Sequence, residues 1–205
     1  MDILNSKLYR AIEILVSFLM LNLLWILLSL PVVTAFPATA AMFGVVREWG
    51  RGTDSGALEP FFRHFKANFA QSFWIGLIWI VLGIALWFDF FLLGAAEEWV
   101  QVPLFLLLAL GTLCYTFTSI YLFPVMVNYV SSWRMVIKNS FLISLSQLWI
   151  TLLCLLICVV MLFVVLFVPV TGLLAGSLTA YAVYWLCKRA FSRIEAAQAA
   201  RADKE

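Results

Sequence analysis

The sequence predicts an all-α protein, a polytopic transmembrane helix bundle of five spans plus a short re-entrant or sixth helix, with a cytoplasmic amphipathic elbow helix. Three observations lead there. Of 205 residues, 65% are hydrophobic and 12% charged, where a soluble domain is nearer half apolar and a quarter charged. Mean hydropathy is +1.05. The apolar residues also fall into runs of membrane-crossing length, and the basic residues keep to some of the connections between them.

The first run, residues 9–30, makes a helix of roughly 33 Å at 1.5 Å per residue, enough to cross. It lacks the small-residue cleavage site of a signal peptide and is longer than a signal's apolar region. It stops at "SLPVVTAFPAT", where Pro31 and Pro37 break the helix and Pro37 suits the first turn of a new one. Residues 38–49 are apolar and rich in small side chains, but short for a span. Irregular backbone between the two prolines would need burial against protein, because lipid offers its carbonyls nothing. Further spans are expected at about 72–93, 103–127, 145–168 and 171–187. Residues 1–187 thus form one bundle, and 188–205 a polar, alanine-rich cytoplasmic tail.

Charge sets the orientation. Stretches 94–103 and 168–171 contain no Lys or Arg, whereas Arg134 and Lys138 flank one turn and five basic residues occupy the tail. The positive-inside rule makes the tail and the elbow cytoplasmic. If residues 38–49 re-cross, the N-terminus is also inside and all 13 basic residues face the cytoplasm. If they do not, Lys7 and Arg10 face outward; the first arrangement is the one favoured. An internal echo runs alongside. "FPATAAMFGVVR" and "FPVMVNYVSSWR" each place Arg eleven residues after Phe, and each is followed by Lys-x-x-Phe and a new span, though the gap from Arg to Lys differs.

Few residues could carry chemistry. There is no phosphate loop, zinc-protease motif or nucleophile elbow, so no enzyme and no cofactor is expected. The net charge of +2 gives no reason to expect a nucleic-acid partner. The four cysteines (114, 154, 158 and 187) lie in or at the end of apolar runs and read as small buried residues, not as ligands. His64 is the single histidine and reads as an interfacial polar residue. Asn22, Thr116 and Asp89 are the intramembrane polar candidates. Asn22 suits a bond to a neighbouring helix. Thr112, Thr116 and Ser119 form a weakly polar stripe that reads as packing before it reads as a path. Asp89, in "LWFDFFLL", sits toward the outer end of its span, where a carboxylate is a functional suspect or one that reaches interfacial water. "GLLAG" at 172–176 permits close helix approach, and Trp87 and Trp99 suit an aromatic belt.

The elbow is the richest stretch. On a helix over about 58–70, Leu58, Phe61, Phe62, Phe65 and Phe69 keep helical spacing, with Arg63, His64, Lys66 and Asn68 on the remainder. "TDSGALE" supplies capping residues before it. One reading is an anchor on membrane lipids. The sharper one is a docking helix in which Phe61, Phe62, Arg63, Phe65, Lys66 and Phe69 meet a partner, since Phe and Arg favour interfaces.

Asn-Leu-Leu-Trp…Ser-Leu-Pro over 22–31, Arg51-Gly52, and Phe-Phe…Phe-Lys-x-Asn-Phe over 61–69 together resemble the YesL-like family of small bacterial membrane proteins. The chain departs from the family pattern at Thr53-Asp54-Ser55, where an acidic pair is usual, and at Phe36, where Gly is frequent. The resemblance implies a multi-pass protein of the bacterial cytoplasmic membrane. It also implies an association with binding-protein-dependent importers of plant-derived oligosaccharides, and hence a non-catalytic accessory or assembly subunit. The partners expected on that ground are ABC importer permease subunits and their ATPases. The alternative is a self-contained transporter or channel for a small polar solute, with Asn22, Thr116 and Asp89 along its path.

Overall fold

A computed structural model describes residues 2–52, 56–94 and 97–202. It contains seven helices and, among the described residues, no strand: α1 Asp2–Ser29, α2 Ala35–Trp49, α3 Leu58–Leu93, α4 Glu98–Asn128, α5 Trp133–Ser146, α6 Leu148–Phe167 and α7 Gly172–Ala202. Five of them, all but α2 and α5, are long and apolar enough to cross a membrane. The protein is a multi-pass helical bundle.

α2 lies at the centre. It has 15 residues, about 22 Å at 1.5 Å per residue, against a hydrocarbon core of about 30 Å. Pro37, Ala38, Ala40 and every residue from 41 to 46 are buried. The alanines and Gly44 among them let α1, α3, α4 and α7 approach closely, which in lipid replaces the hydrophobic drive between helices. Ile75 of α3, Tyr121, Leu122 and Val125 of α4, and Val183, Tyr184 and Cys187 of α7 complete this core. Phe36 packs where Gly76 leaves room on α3; a Cβ there would lie 2.5 Å from Phe36 Cγ.

The break before α2 is not buried as expected. Pro31, Val32 and Val33 are exposed, and two carbonyls at the break, Leu28 O and Pro31 O, find partners locally. The Thr34 hydroxyl donates to Leu28 O at 2.6 Å and Pro31 O at 2.9 Å, and Thr34 N–H also donates to Pro31 O. Trp25 Nε1 then ties α1 to α2 through Thr39 Oγ1 at 3.0 Å.

α1 runs antiparallel to α7. Phe18 packs on Tyr181 at 5.5 Å and on Trp49 at 5.0 Å. Asn22, fully buried, donates to Gly172 O at 2.9 Å and accepts from Ser177 N–H at 3.1 Å. Gly176 permits this contact, since a Cβ there would sit 2.5 Å from Asn22 Oδ1. The N-terminal half of α1 and the tail of α7 therefore leave the bundle at one end. Lys188 Nζ donates to Gly50 O there, and Tyr129 at the end of α4 donates to Glu195. The ends of α2, α4 and α7 gather with the starts of α3 and α5, and we call this the basic end.

Two expectations need correction. The elbow helix does not end near residue 70; it continues without a break as the 36-residue α3, because nothing between Pro60 and Gly76 interrupts it. The capping residues Thr53, Asp54 and Ser55 lie outside the described residues, and the N-cap is Ala57, which makes no side-chain cap bond. The turn expected before residue 145 instead holds α5, capped at Ser132 in extended backbone. It breaks from α6 at Gln147. The inward stripe of α5 is Val136, Ser140 and Ser144, two of three polar, so apolar periodicity is faint. The echoed segments meet, with the Phe36 and Phe123 rings 5.5 Å apart and Phe43 stacked on Phe123 at 5.9 Å.

At the opposite end α3 and α4 continue as a hairpin. Trp79 stacks on Tyr115 at 5.2 Å and donates to Ser119 Oγ at 2.7 Å, so Ser119 is packing glue.

Gly76→Ala should lower the melting temperature of the detergent-solubilised protein. Phe36 is a rigid neighbour, and overpacking costs about 1–3 kcal/mol. Gly111→Ala, whose Cβ would meet only Leu86 Cδ2 at 3.6 Å, should leave it unchanged. A thermal-shift comparison of the two variants checks this.

Candidate functional site

At the basic end the α2–α3 elbow turns on Arg51-Gly52. Gly52 has φ +78°, left-handed backbone that Gly adopts without a Cβ penalty. Gly50, Arg51 and Gly52 N–H groups donate to Val46, Glu48 and Trp49 carbonyls, closing the helix end. This turn brings the last residues of α2 onto the first turns of α3.

Glu48 is the hinge of the contact. Arg63 NH2 donates to both of its oxygens, at 2.8 and 2.7 Å. His64 Nε2 lies 2.8 Å from Oε1 and donates, since a carboxylate only accepts. Gly44 on α2 lets the His64 ring settle against the helix; any Cβ there would collide with the ring. Burial alone would raise the Glu48 carboxyl, but the bonds from Arg63 and His64 outweigh it and hold the group below its usual range. Arg47, one residue earlier, is pushed below the usual guanidinium range by burial and then by Arg51, and its Nε is buried without a partner. The cluster fixes the angle between α2 and α3. His64 Nε2 and both carboxylate oxygens are engaged in this contact.

The six expected docking residues separate. Phe61 is fully buried, stacked on Phe65 at 6.3 Å, which meets Phe69 at 5.4 Å, which stacks on Phe73 at 6.1 Å. The dense phenylalanines are a ladder along one helix, starting in the core. Arg63 is held by Glu48 and also approaches Glu59 at 3.8 Å. Phe62, Lys66 and Phe69 remain exposed, and Lys66 has no ion pair among the described residues.

The intramembrane candidates do not converge. Asn22 joins α1 to α7, Thr116 donates to Thr112 O on its own helix at 2.8 Å, and Asp89 is exposed on α3. Trp87 and Trp99 are exposed, as a belt requires. Sequence reasoning missed the Glu48–His64 pairing. Its advance signal was Gly44, set between Phe43 and Val45.

The fold and this site define a multi-pass helical membrane protein with a charge-locked elbow. The family described as "Protein of unknown function, DUF624" matches residues 18–90, which hold α2, the elbow and most of α3. Uncharacterized protein YesL of Bacillus subtilis (strain 168) is 38% identical over 137 residues, 65% of this chain and 64% of YesL. YteU of the same organism is 30% identical over 151 residues, 72% of this chain and 68% of YteU. YesV is 30% identical over 142 residues, 67% of this chain and 68% of YesV. No solved structure matches. The chain belongs to the YesL-like family.

Glu48→Gln should weaken the elbow by about 2 kcal/mol, the scale of a charge-assisted bond lost, seen as a lower melting temperature at neutral pH. Because the folded carboxyl titrates below its ordinary value near 4.5, its contribution is present above that pH and is lost as pH falls through the lower folded value. The gap between wild type and Glu48→Gln should therefore narrow on acidification. A gap independent of pH would contradict the assignment.

Proposed function

We propose that this chain is a non-catalytic accessory subunit of a bacterial ABC-type carbohydrate importer, seated beside the permease pair in the cytoplasmic membrane. The observation that carries the reading is α1. Residues 8–16 are exposed at every position, so more than two turns of this helix lie open on the surface of the bundle. That stretch includes Arg10 and Glu13, neither in an ion pair among the described residues. Polar groups in membrane helices ordinarily face other protein, and a helix of a second protein would supply that face. Phe62, Lys66 and Phe69 offer a second surface at the basic end, which the positive-inside rule assigns to the cytoplasm, where an importer's ATPases sit. The carbohydrate class rests on the family's expected association alone. The solute-channel reading gains nothing from Asn22, Thr116 and Asp89, which lie apart.

Affinity purification from native membranes in mild detergent tests this. The wild-type chain should bring down a permease pair, and Glu13→Lys combined with Lys66→Glu should reduce recovery at least several-fold while insertion persists. Arg63 is unsuited to the test, because reversing it breaks the Glu48 pair. Recovery of the wild-type chain alone, or equal recovery with the variant, would reject the reading.

A further inference from the structure

Lys66, Ala70 and Trp74 recur every fourth residue of α3, on one exposed face. The α4–α5 elbow stands opposite, pinned by Gln71 Nε2 donating to Ser131 O at 2.8 Å. Between them lies a crevice of about 510 Å³, lined by Gln71, Trp74 and Ile78 on one wall and Ser132 and Trp133 on the other. Its lining is almost wholly apolar. Its rim is not. The Arg134 guanidinium lies 5.0 Å over the Trp133 ring, and Lys66 is one turn of α3 from Ala70, which also lines the crevice. Both cations are exposed, and neither is in an ion pair among the described residues.

The crevice sits where α3 passes from its polar turns, ending at Ser72, into the apolar run that begins at Phe73. Tryptophan and basic side chains together at such a border mark the membrane–water interface. The occupant must match both halves of the site. An apolar helix would leave two cations unanswered. A soluble anion would meet apolar walls. A molecule with one phosphate and an apolar body answers both, and basic pockets between membrane helices are known lipid headgroup sites. We propose that this crevice holds an anionic glycerophospholipid of the leaflet at the basic end, its phosphate at the Arg134 and Lys66 rim and an acyl chain against Trp74 and Ile78. Arg134 can stack on Trp133 and still present N–H donors at its edge. The site is complete within one chain, so it holds whether or not a permease binds.

The test uses the purified full chain in phosphatidylcholine vesicles doped with phosphatidylglycerol brominated on its acyl chains, or with equally brominated phosphatidylcholine. Brominated phosphatidylglycerol should quench tryptophan fluorescence more than brominated phosphatidylcholine does. The excess should vanish in a Trp74→Phe, Trp133→Phe double variant, which removes the reporters. It should fall about fivefold in Arg134→Gln, each interfacial cation contributing on that scale, and persist in Arg134→Lys. Equal quenching by the two lipids would overturn the proposal. So would an excess that survives Arg134→Gln with Lys66→Gln. A photocrosslinker at Ile78 that captures a second copy of the chain instead of lipid would overturn it as well.

Discussion

The close sheathing of α2 is the constraint on which the rest of the bundle depends. A helix of 15 residues falls short of a bilayer's hydrocarbon core, so it cannot simply stand among lipids with its ends in water. Four longer helices surround it instead, and they can do so only because its inward positions are Ala, Gly and Val for most of their length. In lipid there is no hydrophobic gain from bringing apolar helices together, so contact density must supply the stability. Gly76 and Gly176 extend that logic to the neighbours: one admits Phe36, the other Asn22 and Trp25. The two ends of α2 are then closed by different chemistry. Thr34 satisfies carbonyls at the proline break, and Glu48 with Arg63 and His64 locks the other end to α3.

Much of this was legible from residues. The five spans were readable because their apolar runs are long and carry few charges, and the end of α3 falls at Leu93, where the run stops. Pro31 and Pro37 announced the α1–α2 break. What stayed hidden depended on partners distant in sequence. No periodicity in 58–70 says which part of a phenylalanine-rich face looks inward; that is settled by where α2 lies, and it takes Phe61 into the core while Phe62 and Phe69 stay outside. α5 was missed because its buried stripe carries serine at two of three positions, which imitates a loop. Glu48 was overlooked because its partners lie 15 and 16 residues away, across a turn in which Gly52 takes left-handed backbone.

The echo between 36–47 and 123–134 gains a physical form. Each Phe-Pro segment leads to an elbow and a new helix at the basic end, and the two phenylalanines that open them touch. The halves then diverge. In the first the chain breaks before the short helix and α3 runs on for 36 residues. In the second α4 is continuous and the break falls later, at Gln147, dividing 14 residues of α5 from 20 of α6. Parallel structural repeats are common in membrane transport folds, and here the repeat would place both elbows side by side.

That placement gives the two elbows unlike surfaces. The first is largely tied up: its carboxylate is taken by Arg63 and His64, and only Phe62, Lys66 and Phe69 of the expected docking set besides Arg63 stay exposed. The second has Arg134 and Lys138 after its turn, and neither makes an ion pair among the described residues. A bundle whose first elbow ties Arg63 to Glu48 but leaves Lys66 exposed, and whose second leaves its cations exposed, concentrates positive charge beside the α3–α5 crevice. Anions of the surrounding leaflet are drawn to such a place by the field alone. The apolar walls then select those that carry an acyl chain.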